Sequence, residues 1–120
     1  MDAINLAEKF SRFSDHWKPK IVAELNDSYV KLVKLSGEFV WHHHDHEDEL
    51  FFVAQGTMNM QFRDQNVLVH PGEFIVVPRG VEHCPKAETP ECHVVLLEPK
   101  TTLNTGNIQN ERTVPVLERI

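Results

Sequence analysis

Long apolar runs are missing: no stretch approaches the roughly 20 residues that a membrane-spanning helix needs, and the first residues hold no apolar segment of signal-peptide length. Basic residues are scarce as well. Twelve Lys and Arg stand against eighteen Asp and Glu, for a formal net charge of −6, and they are not clustered. A general role on nucleic acid, which needs Lys and Arg gathered against phosphates, is therefore excluded. Cysteine is sparse too, with Cys84 and Cys92 alone in 120 residues. A secreted domain of this size would carry a larger even set, so the pair points to a reducing compartment and a cytoplasmic protein.

What is present is ordinary for a folded domain. Hydrophobic residues make up 41% and charged residues 25% of the chain, a balance that buries a core without being all core. The length fits one domain of the common size.

The chain divides into three parts by texture. Residues 1–19 read as a helical extension. Ile4, Leu6, Ala7, Phe10 and Phe13 recur at helical spacing, which predicts an amphipathic helix over residues 3–16 with Asp2 at its cap and Pro19 beyond its end. Residues 20–99 change to short runs with period-two alternation. Tyr29, Lys31, Val33 and Leu35 share one side of a strand, with Val30, Leu32 and Lys34 on the other. Further strands are expected at Phe39–His44, Leu50–Gln55, Thr57–Arg63, Asn66–His70, Phe74–Val77 and His93–Glu98. Turns at Gly56, Asp64-Gln65, Pro71-Gly72, Pro78–Gly80 and Pro85–Pro90 punctuate them. Many short strands without helices between them make an all-β sandwich or barrel. Residues 100–120 form a polar, turn-rich tail that regains apolar character at Val114, Val116, Leu117 and Ile120.

Histidine is the conspicuous excess, with eight in the chain and four within His42-His43-His44-Asp45-His46. Alternation along a strand sends His42 and His44 to one face and Trp41 and His43 to the other. Two imidazoles on one face suit a first-row transition metal. Glu49 follows across the acidic turn Asp45–Asp48 and delivers a carboxylate from the next strand. His83, just past the turn Pro78-Arg79-Gly80, returns to the same interior. His46 has the parity of His42 and His44 and competes with His44 for the site. His16, His70 and His93 have no partner in sequence, and Cys84 belongs to the packing. Phe51, Val53 and Gln55 share the parity of Glu49, while Met58, Met60 and Phe62 form a second one-sided set. Both sets serve equally as pocket lining or as core.

These residues fall into a pattern that resembles the cupin superfamily. Its first motif reads here as Gly37, a spacer, His42-His43-His44, four residues, Glu49, six residues, Gly56. Its second reads Gly72, five residues, Pro78-Arg79-Gly80, two residues, His83. Fifteen residues separate Gly56 from Gly72, as in small bacterial cupins, and the motifs span residues 37–87. The sequence departs from the pattern by a spacer of four rather than five residues after Gly37, and by Ala87 where the second motif closes on Asn. Residues 39–53 also resemble short single-domain cupins described as mannose-6-phosphate-isomerase-like, a label of fold rather than activity.

The resemblance implies a jelly-roll barrel, or double-stranded β-helix, with a short N-terminal helix. It implies one divalent metal (zinc, manganese, iron, nickel or copper) on His42, His44, Glu49 and His83; the cupin spacing prefers His44 to His46. Three neutral imidazoles and one carboxylate leave a divalent site at about +1, with two positions open if the ion is octahedral. Those positions suit Lewis-acid, water-activating or oxygen-activating chemistry on a small polar metabolite, a sugar derivative or an oxo-acid. No general base stands out beyond His46 and the ligands, so a non-catalytic ligand-binding or sensing protein is the second expectation. A structural metal is the third, and the open positions weigh against it. The helix and the tail are expected to cover barrel edges across a homodimer.

Overall fold

The computed structural model describes residues 1–120. A short helix, α1 (Leu6–Phe10), precedes nine strands: β1 (Lys20–Leu25), β2 (Ser28–Leu35), β3 (Glu49–Gln55), β4 (Met58–Phe62), β5 (Asn66–Val69), β6 (Phe74–Val77), β7 (His83–Ala87), β8 (Cys92–Pro99) and β9 (Glu118–Arg119). They form a six-stranded sheet in the order β6-β3-β8-β2-β1-β9 and a three-stranded sheet in the order β5-β4-β7. This is the expected all-β jelly roll.

The core lies between the two sheets. From the large sheet come Val33, Leu35, Phe51, Val53, Val77, Cys92, Val94 and Leu96; from the small sheet come Met58, Met60, Val69 and Ala87. Both alternating sets therefore serve as core, with one exception. Gln55 is exposed, because the β3–β8 pairing shifts register between Val53 and Gln55 and the bulge breaks the alternation.

Three sequence expectations need correction. The helix covers residues 6–10 rather than 3–16, and Asn5, not Asp2, caps it by accepting a hydrogen bond from the Glu8 N–H at 3.0 Å. In a longer helix the Trp17 N–H would bond the Phe13 carbonyl. Both groups go instead to Lys34: its Nζ donates to the Phe13 carbonyl at 2.6 Å, and its carbonyl accepts from Trp17 at 2.9 Å. The chain thus leaves the helix to lie on the large sheet, where Phe10 stacks on His93 at 4.6 Å between ring centroids.

Residues 39–44, read as a strand, are not one. They touch the small sheet through the single bridges Glu38↔Lys86 and His42↔His83. Conversely, the expected turn at Pro85–Pro90 begins three residues late, because β7 runs through Pro85 to Ala87. Proline is tolerated there for a positional reason. His83 and Ala87 point their N–H groups at His42 and Gly37, so by alternation the nitrogen of Pro85 faces that irregular segment and takes no donor from the β4–β7 ladder.

The tail closes on its own chain. β9 pairs in parallel with β1, Lys20↔Glu118 and Ile21↔Arg119, and so covers one edge of the large sheet. No helix is long and apolar enough to cross a membrane.

Candidate metal centre

His42 and His44 sit on the irregular segment between β2 and β3, and hydrogen bonds on both sides hold it. His42 exchanges backbone bonds with His83 at 3.0 and 2.9 Å, and the Gly80 N–H donates to the His44 carbonyl at 2.7 Å. From the tail, Asn107 accepts from the His43 N–H at 2.9 Å and its own N–H donates to the His43 carbonyl at 3.1 Å. Gly106 makes that clamp possible. Its φ is +58°, and a Cβ there would collide with the His43 carbonyl oxygen and stand 3.0 Å from the His42 ring. Glu49 opens β3 and His83 opens β7.

These elements bring the ligand atoms of His42, His44, Glu49 and His83 within 4.8 Å of one another, and all four residues are buried. His46 is exposed and outside the cluster. His43 points away, toward Glu82 and Asp45. Of the two rivals, His44 is the buried one.

The donor chemistry fits a cation. The Nδ1 atoms of His42 and His83 lie 2.8 Å from the carbonyls of Val40 and Val81. A carbonyl only accepts, so Nδ1 carries a proton, which in the neutral ring leaves the lone pair on Nε2. His44 Nε2 and His83 Nε2 approach Glu49 Oε1 to 2.9 and 3.2 Å. Yet none of these three buried atoms is hydrogen-bonded with acceptable geometry. Buried polar atoms are rarely left so; lone pairs converging on one point are what a divalent ion satisfies. Burial, with the neighbouring His83 ring, pushes His42 down to about 4, so it stands neutral and ready to ligate.

Beside the cluster is a feature that the sequence reading missed. Lys31 Nζ lies 2.8 Å from Glu98 Oε1, with both side chains 2% exposed. Leu50 pairs with Leu97, a register that sets Glu49 and Glu98 side by side. Burial and the Glu49 charge raise Glu98 well above the carboxylate range. Burial also raises Glu49, but the closeness of Glu98, His44 and His83 outweighs it and holds Glu49 well below. The available signal was parity: Lys31 lies on the Val33–Leu35 side of β2, and a lysine among inward-facing residues demands a buried partner.

His42, Glu49 and Glu98 line a small cavity with about 40 Å³ of interior space, enough for a few waters. Val33, Leu35, Phe51 and Leu96 form much of its wall, with Trp17 and Phe39 stacked at 4.6 Å. Trp17 has φ +61°, a costly conformation for a bulky residue, held by bonds from its backbone and indole N–H groups to the carbonyls of Lys34 and Ser36.

Comparison with known proteins converges on one family. The family model described as "Cupin domain" matches residues 29–99. Protein YdbB of Bacillus subtilis strain 168 is 34% identical over 82 residues, 68% of this chain, and the match spans 66% of that relative's length. Among solved structures, a cupin-2 domain containing protein from Shewanella frigidimarina is 50% identical with a TM-score of 0.79, over 81% of this chain and 94% of that one. Protein NMB1881 from Neisseria meningitidis is 33% identical with a TM-score of 0.75, over 82% of this chain and 100% of that one.

Proposed function

Since the chain belongs to the cupin-domain family, we propose that it is a metal-dependent cupin acting on a small polar metabolite, a sugar derivative or an oxo-acid. One divalent transition metal would sit on His42, His44, Glu49 and His83. The observation that carries this reading is the cluster of buried ligand atoms within 4.8 Å of one another, three of them without hydrogen-bond partners. A bound ion would supply a Lewis acid that orients and polarises an oxygen of the substrate.

The chain's own residues do the rest. Val40 and Val81 carbonyls fix the His42 and His83 rings so that no reorganisation is needed on binding. Phe39, Phe51, Leu35 and Trp17 give the cavity a largely apolar wall, which strengthens charge interactions beside it. Apart from the ligands, Glu98 and Asn104, the cavity wall holds no polar side chain. This near-absence of a free base favours a second reading, a ligand-binding or sensing cupin without turnover. A cytoplasmic location belongs to the same proposal, and the free, buried state of Cys84 and Cys92 suits it.

Elemental analysis of untagged protein purified without chelator tests the metal. Close to one transition ion per chain, lost in His83→Ala, is expected; a metal-free wild type that cannot be refilled would sink the reading. Turnover across sugars and oxo-acids then supports the enzyme, whereas thermal stabilisation without turnover supports the binding protein.

We further propose a homodimer through the outer face of the large sheet. Phe74 and Val76 of β6 are 62% and 48% exposed. They continue two cross-strand rows, Phe74–Phe52–Val95 and Val76–Leu50–Leu97, an apolar surface of the kind that marks association sites.

A further inference from the structure

The inner face of the large sheet changes character along its length. Toward one end β2, β3 and β8 present Val33, Leu35, Phe51, Val53, Val94 and Leu96 to the core. At the other end the same three strands present Lys31, Glu49 and Glu98, all buried. Glu49 is accounted for as a ligand. Lys31 and Glu98 are not, and two buried ionisable groups kept in an interior that apolar residues could fill need a reason.

Glu98 Oε1 is taken by Lys31. Its other oxygen, Oε2, is buried without a hydrogen-bond partner, in a side chain that lines the cavity beside His42 and Glu49. Resting on the metal-dependent reading above, we propose that Glu98 is a specificity-determining residue. It hydrogen-bonds a hydroxyl of the metal-bound molecule, and the site therefore takes short hydroxylated organic acids.

The surroundings select this chemistry by elimination. A second anionic group against Glu98 would face the carboxyls of both Glu49 and Glu98. A cationic group would meet Lys31, 2.8 Å from Glu98, and the ion itself. A neutral hydroxyl remains; it donates and accepts, so it pairs with a carboxyl in whichever state the pair holds. The apolar wall and about 40 Å³ of space admit a short carbon skeleton. Lys31 acts through Glu98, fixing its carboxyl in the cavity, and is a positioning residue.

The test uses the protein with the metal it carries on purification, and lactate and propionate as probes that differ by one hydroxyl. Glu98→Leu alone would strand the Lys31 charge in the interior, so the informative variant is the double Lys31→Met/Glu98→Leu, which removes both charges. In the wild type, calorimetry should find lactate bound about tenfold or more tighter than propionate. In the double variant metal content should be unchanged and that preference at least about fivefold smaller, what survives being chelation by the ion alone. Glu98→Gln, which keeps a group able to pair with a hydroxyl, should retain part of it.

A preference equal in the wild type and the double variant would overturn the proposal, as would no preference in the wild type. Metal lost from a folded double variant would also overturn it, by making Glu98 a support for Glu49 instead. A wild type that holds no metal would bring down the parent reading, and this one with it.

Discussion

Burial holds His42 neutral down to about pH 4, against 6.5 for an ordinary imidazole. Between those values the unfolded chain takes up a proton there and the folded chain does not, so stability rises with pH across the window. The contribution is complete above 6.5 and is lost as pH falls to about 4, and it amounts to about 3 kcal/mol. Urea titrations of the metal-free protein at both ends of the window should differ by that order, and by distinctly less in His42→Asn. Gly106→Ala places a methyl against the His43 carbonyl at a positive φ and should cost about 2 kcal/mol in thermal unfolding. Metal affinity should fall with it, because the same contact holds the ligand-bearing segment; unchanged affinity would separate the tail from the site. At this scale the convergence of His42, His44, Glu49 and His83 was legible from the cupin spacing, where parity alone left His44 and His46 as rivals. Glu98 was not, since one carboxylate in an apolar strand gives no sign of its partner until β2 and β8 are paired.

The elements show where periodicity misleads. Residues 3–16 have a helical pattern of apolar residues, but Phe10 and Phe13 serve a sheet surface, Trp17 beyond them lines the cavity, and Lys34 takes the backbone groups that would have extended α1. Side-chain spacing reports which residues want burial; it does not report which carbonyl a distant lysine claims. Residues 39–44 fail as a strand for a related reason. Alternation correctly separated the His42–His44 face from His43, yet backbone pairing there is confined to isolated bridges, so direction was legible and hydrogen bonding was not. α1 and its Phe10 are structural in consequence. Phe10→Ala removes a buried ring stacked on His93 and should lower stability by about 3 kcal/mol. Metal stoichiometry should not change, which elemental analysis of the variant checks.

For the whole molecule, fold class was legible because short strands and turn residues recur through residues 20–99, whereas the closing of the β1 edge by β9 was not. A two-residue strand carries no periodicity to read. The expected covering of edges is met at β1 from within one chain, and the proposed dimer concerns the opposite side of the sheet. Sedimentation of the wild type should give a dimer and Phe74→Lys a monomer with intact metal content; a concentration-independent wild-type monomer would remove the dimer. Lys at position 74 stays exposed in a monomer, so the monomer's own stability should change by less than about 0.5 kcal/mol.

The clamp of Gly106 and Asn107 on His43 has a consequence for synthesis. A nascent chain that has emerged as far as Pro99 already owns all four candidate ligands, with the segment bearing two of them held from one side by His83 and Gly80 and not yet by the tail. Ribosomes add roughly 5–20 residues each second, so the tail's side of the hold follows the first within seconds. The candidate ligands and the tail residues that complete the hold on their segment are therefore made at different times.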